Sequence, residues 1–92
     1  MPGRIEIYLH SDMTTPNKGG AMVRVLSETD FATRTGDFVT FTKLVALSAY
    51  AAQTTIWREI IAAFPDLEEK KNLLEHILKE KVEVKEIMIL LV

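Results

Sequence analysis

The sequence predicts an α+β fold: a three-stranded antiparallel sheet in the order strand, strand, helices, strand, with the helices packed on one face. Three observations predict it. Residues near 4–11 and 20–28 alternate apolar and polar side chains with period two on either side of a loop that holds Pro16, Asn17 and a glycine pair. From Phe31 to Lys81 the apolar spacing is helical. Near residues 82–91 the pattern is again that of a strand, alternating at its start and apolar on both faces at its end. The chain has 92 residues, which allows one domain, residues 1–92, and one core.

The first strand carries Ile5, Ile7 and Leu9 between Arg4, Glu6, Tyr8 and His10, which reads as a strand with one buried face. The loop Asp12–Gly20 contains Pro16, Asn17 and a glycine pair. Ala21, Val23 and Val25 then alternate with Met22, Arg24 and Leu26, so the two strands pair as an antiparallel hairpin. After Glu28 the pattern changes. Thr29 is a helix cap and Asp30 suits the positive end of a helix dipole. Thr35-Gly36-Asp37 is a second cap signal, so the first helical piece is a single turn. The next helix runs from Phe38, with Phe41, Val45, Leu47 or Ser48, Ala49 and Ala52 at helical spacing, and ends near Gln53. Its stretch Leu44–Ala52 is apolar nearly all round, which predicts burial on more than one side. Ile56, Trp57, Ile60, Ile61 and Phe64 make another helical stripe ending at Pro65. A further helix follows Pro65, with Asp66, Glu68 and Glu69 at its start and Leu67, Leu74, Ile77, Leu78 and Lys81 on one face. In the last strand Ile87, Ile89 and Leu91 point one way and Met88, Leu90 and Val92 the other. A strand apolar on both faces is expected to be covered on both.

Composition narrows the function. There are 11 basic and 13 acidic residues, a formal charge of −2, and the basic residues are scattered; nucleic acid is not an expected partner. There is no cysteine, so neither a disulfide nor a cysteine metal site can form, and a reducing cytoplasmic setting is expected. Met1-Pro2-Gly3-Arg4 leads into alternating residues, not a signal segment, and the longest apolar run, Ile87–Val92, is far short of the ~20 residues of a membrane helix. No membrane partner is expected. His10-Ser11-Asp12 lists the residue types of a catalytic triad, but consecutive strand residues cannot face one point. His76 has no second histidine at metal-binding spacing, and Gly19-Gly20 lacks the Lys-Ser/Thr of a phosphate loop. Trp57 belongs to the apolar stripe of its helix. The chain is expected to be a binding protein without catalysis or cofactor.

One motif stands apart. Read locally, the Phe of Thr29-Asp30-Phe31 staples a helix start to the core while Asp30 complements the dipole. The wider stretch Val23–Phe38, VRVLSETDFATRTGDF, resembles the signature of elongation factor Ts. Glu28, Thr29, Asp30, Phe31, Arg34 and Phe38 match the family pattern in order and spacing. Tyr8-Leu-His is similar to its upstream Tyr-Ile-His, and Lys79–Ile89 resembles the turn and strand that close the family's core subdomain. Leu26-Ser27 stands where the family usually has Asn-Cys, and Thr35 where it has Asn. The resemblance implies a core-domain fold and a partner, elongation factor Tu, whose GDP release is promoted. It implies that Phe31 and Asp30, with Thr29 and the weaker candidate Arg34, press against that partner. No counterpart of the family's helical docking domain is seen, so weaker exchange than that of a complete factor is expected. The family's sheet-to-sheet pairing of core subdomains implies a homodimer. Met88, Leu90 and Val92 are the expected interface residues, because helices in so short a chain cover one sheet face only.

Overall fold

The computed structural model describes residues 2–92. Its elements are β1 (Gly3–His10), β2 (Gly19–Leu26), α1 (Asp30–Thr33), α2 (Gly36–Ala52), α3 (Trp57–Ala63), α4 (Asp66–Leu78) and β3 (Glu83–Leu91). The three strands form one antiparallel sheet with β2 in the middle. The α+β class, strand order and helix positions are those the sequence predicts.

Local chemistry sets each boundary. The Thr29 side chain accepts from the Ala32 amide, and α1 is a single turn. The Thr35 side chain accepts from the Phe38 amide and starts α2. Gln53 and Lys79 adopt the left-handed conformation, with φ of 54° and 57°, and stop α2 and α4. The stop at Lys79 leaves Lys81 outside the helix, and Ile77 is exposed; neither joins the buried face expected of them.

The core lies between the sheet and the helices. Ala21, Val23 and Val25 of β2 meet Phe38, Phe41, Val45, Ala46 and Ala49 of α2, with Ile60, Leu67, Leu74 and Val82 completing the cluster. α2 rests on β1 and β2, and α3 and α4 pack against α2. This double contact is why the α2 sequence is apolar nearly all round. A side chain at Gly19 would place a Cβ 2.7 Å from the Tyr50 hydroxyl, so this glycine lets α2 come close to the sheet.

The two outer strands depart from the sequence reading in instructive ways. Ile5, Ile7 and Leu9 are not the buried set of β1; they are about 60 % exposed on the helix-free face, and Arg4, Glu6, Tyr8 and His10 lie half-buried on the other. Period two identifies two faces, not which one the helices cover. On this edge strand the long Arg4 and Tyr8 side chains occupy the helix side. In β3 the pairing slips between Arg24↔Glu86 and Val25↔Val84, leaving Lys85 as the extra residue of a bulge. The bulge brings both Val84 and Ile87, three positions apart, onto the core side. Ile89 follows them, whereas Leu91, expected on that side, is exposed at the strand end. Met88 and Leu90 face away from the helices and are exposed, and Val92 lies beyond the strand, also exposed. Within one chain, therefore, β3 is covered on one face.

Candidate functional site

Thr29, Asp30, Phe31 and Arg34 all lie at the surface, on the turn between β2 and α2. Phe31 is 77 % exposed. The local alternative, in which Phe31 staples the helix start into the core, is not what the fold adopts. The reason is the break at Thr35-Gly36. Phe31, Phe38 and Val45 are spaced by seven, so a continuous helix would put all three on one face. The chain instead ends α1 at Thr33, and Thr35 begins a new helix. Phe38 enters the core with no exposure, and Phe31 stays outside.

The turn that carries Phe31 is firmly held. Ala32 and Thr33, the next two residues, are buried. The Thr33 hydroxyl donates to the Asp30 carbonyl at 2.7 Å, and the Thr35 hydroxyl donates to that of Ala32 at 2.9 Å. The Arg34 amide bonds to the Phe31 and Ala32 carbonyls. Ser27, fully buried, donates its hydroxyl to the Thr29 carbonyl. On the other side, Glu80 reaches over from the α4–β3 turn. Its Oε1 accepts from the Glu28 and Thr29 amides, both at 3.0 Å, and its Oε2 from the Thr29 hydroxyl at 2.6 Å. Glu28 returns the contact, accepting from the Lys81 amide at 2.6 Å. Sequence reasoning misses Glu80, because no local pattern announces a carboxylate that acts 51 residues away.

The remaining polar candidates are explained locally. His10, Ser11 and Asp12 do not converge. The Tyr8 hydroxyl lies 2.8 Å from His10 Nδ1, and the His10 ring stacks on Tyr50. Asp12 accepts from Lys18 Nζ at 3.0 Å and from the Thr14 and Thr15 amides at 2.9 and 2.6 Å. The Lys18 ammonium, followed by those amides, holds the Asp12 carboxyl well below the usual carboxylate range, and Asp12 raises Lys18 in return. These bonds fold the loop on itself. His76 is exposed. Trp57 packs half-buried against the core. Among the described residues no cluster of metal-ligating side chains occurs, and no helix is long and apolar enough to cross a membrane.

A second exposed apolar area lies on the open sheet face. Ile7, Met22 and Met88 form a row across the three strands, flanked by Leu9, Leu90 and Ile5. Arg24 and Glu86 form an ion pair on the same face. A shallower groove between α2 and α4 is lined by Phe41, Leu44, Leu73, Leu74 and Ile77.

No family model and no curated protein matches the sequence. The resemblance to elongation factor Ts therefore rests on the sequence stretch alone.

Proposed function

We propose that this chain is an elongation factor Ts-like protein. It binds elongation factor Tu through Phe31 and promotes release of GDP. One observation carries the reading: an aromatic side chain 77 % exposed, on a turn whose neighbouring residues are buried and hydrogen-bonded, inside a stretch that resembles the family signature. An apolar side chain held out in water on a fixed turn contributes little to its own fold and is suited to anchor a partner. Asp30, Thr29 and Arg34 form its polar surroundings. In this reading Phe31 favours a conformation of the partner that holds GDP poorly. The coupling is reciprocal, so bound GDP weakens binding of this chain by the same factor. The proposed partner makes the protein cytoplasmic.

The reading includes a homodimer closed over the open sheet face. Ile5, Ile7, Leu9, Met22, Met88 and Leu90 together make an exposed patch of the kind soluble proteins usually cover. A two-fold axis would set this face against its own copy, with Met88 and Leu90 in the contact and Val92 at its rim.

The experiment is nucleotide release. Elongation factor Tu loaded with fluorescent GDP is mixed with the chain or with Phe31→Ala. Faster release that depends on Phe31 supports the reading. Binding without faster release would make the chain a docking module on the same surface. Absence of binding would remove the reading.

A further inference from the structure

The anchor turn is braced from a distant part of the chain, and most of the brace centres on one carboxylate. Three donors converge on the Glu80 carboxylate: the Glu28 amide, the Thr29 amide and the Thr29 hydroxyl. The two amides begin the turn that carries Phe31. The hydroxyl belongs to the α1 cap, whose oxygen accepts from the Ala32 amide at 3.3 Å. One carboxylate thus satisfies the backbone ahead of α1 and fixes the rotamer of its cap. The α4–β3 turn that carries Glu80 is itself fixed from two sides. Glu28 accepts from the Lys81 amide, and Glu75 accepts from the Val82 amide at 2.9 Å. Val82 is buried in the core. The brace therefore runs from the core, through Val82 and the turn, to Glu80 and on to the Phe31 turn.

Such an arrangement is more than the fold needs. Amides at an exposed turn can bond to water at little cost, and Glu28 and Thr29 are both exposed. The arrangement also brings two like-charged carboxylates, Glu28 and Glu80, to adjoining turns. Its gain is orientation. Without Glu80, the helix start would keep its local bonds, Ser27 to Thr29, Ala32 to Thr29 and Thr33 to Asp30, but its tie to the α4–β3 turn would fall to the single Lys81–Glu28 bond. An anchor that must be ordered on binding loses affinity to that ordering, whereas one already held does not.

We propose that Glu80 is a positioning residue for the Phe31 anchor: it holds the β2–α1 turn so that Phe31 is presented to its protein partner in a fixed orientation. The inference rests on the reading of Phe31 as the anchor for elongation factor Tu and deepens it. Glu80 acts through the turn and touches no partner.

The test compares Glu80→Ala, Glu80→Gln, Phe31→Ala and the double variant Glu80→Ala/Phe31→Ala. Release of fluorescent GDP from elongation factor Tu is titrated with each, and amide hydrogen exchange is measured on the free chains. Glu80→Ala raises the concentration for half-maximal release roughly tenfold, the scale of one lost charge-assisted hydrogen bond. Exchange quickens at Glu28 and Thr29 while Val23 and Val25 stay protected. Glu80→Gln keeps an oxygen for the two amides and a side-chain NH2 that can donate to the Thr29 hydroxyl but loses the charge, so both readouts fall between those of the wild type and Glu80→Ala. In the Phe31→Ala background, where release is near the spontaneous rate, the readout is affinity for elongation factor Tu, and removing Glu80 causes no further loss of it.

Three results would overturn the inference: wild-type titration by Glu80→Ala when Phe31→Ala is impaired; an equal added loss from Glu80→Ala without Phe31; or lost protection at Val23 and Val25, which marks general loosening. If Phe31→Ala itself releases GDP like the wild type, the anchor reading has failed, and that outcome is visible without any Glu80 variant.

Discussion

Two phenylalanines seven positions apart in one motif have opposite fates. Phe38 has no exposure and Phe31 has 77 %. Truncating them should therefore separate stability from binding. Phe38→Ala should cost about 3–5 kcal/mol of folding stability, as large core truncations do. Phe31→Ala should change stability by no more than about 0.5 kcal/mol, as surface changes do. Its cost should appear in binding to elongation factor Tu, at about 2–4 kcal/mol, the range of an interface anchor. Chemical denaturation of both variants and titration of the second check this. The break at Thr35-Gly36-Asp37 is legible in the sequence, but the local reading still stapled Phe31 into the core; its exposure was expected only from the resemblance. Glu80 was not legible, since its partners lie on another turn. Asp12 offers a pH test at the same scale. Its folded pKa is depressed, first by Lys18 and then by the Thr15 and Thr14 amides. Its contribution to loop order is therefore fully present above the ordinary carboxylate pKa and is lost as pH falls toward the folded one. Thr14 and Thr15 amide shifts should stay constant from pH 8 down through the ordinary carboxylate range near about pH 4 and move only well below it. A titration centred at the ordinary carboxylate value, about pH 4, would contradict the pairing.

At the scale of elements, caps and breakers were readable and sheet faces were not. The Thr29 and Thr35 caps, the short α1 and the end of α2 at Gln53 all follow from local chemistry. Thr35→Ala should remove the Phe38 amide's partner at a cost of about 1 kcal/mol, and lower Tm by roughly 4–8 °C for a domain of this size. A melting curve decides it; an unchanged Tm would mean that α2 does not depend on the cap. For β1, alternation fixes two faces, but the covered one is chosen by tertiary packing, and α2 covers the face of Arg4 and Tyr8. For β3, the bulge at Lys85 shifts the alternation midway. The wide spacing of Val84 and Ile87 was its only trace in the sequence. Neither feature changes the strand order, which is why the α+β class survived both.

For the whole molecule, one consequence follows from covering the sheet on one side. Ile5, Ile7, Leu9, Met22, Met88 and Leu90 remain on the open face, and a second copy is the proposed cover. Met88→Lys places a charge in the row of Ile7 and Met22. Light scattering should give a dimer for the wild type and a monomer for this variant, with Phe31 still exposed in both. A monomeric wild type at high micromolar concentration would remove the dimer and leave the Phe31 reading standing. The central claim concerns Phe31 and the partner it anchors. Its most direct test is stopped-flow release of fluorescent GDP from elongation factor Tu, with saturating wild-type chain and with Phe31→Ala at the same concentration. The wild type should accelerate release, and Phe31→Ala should leave it near the spontaneous rate. Equal release by the two chains, or no acceleration by either, would contradict the claim.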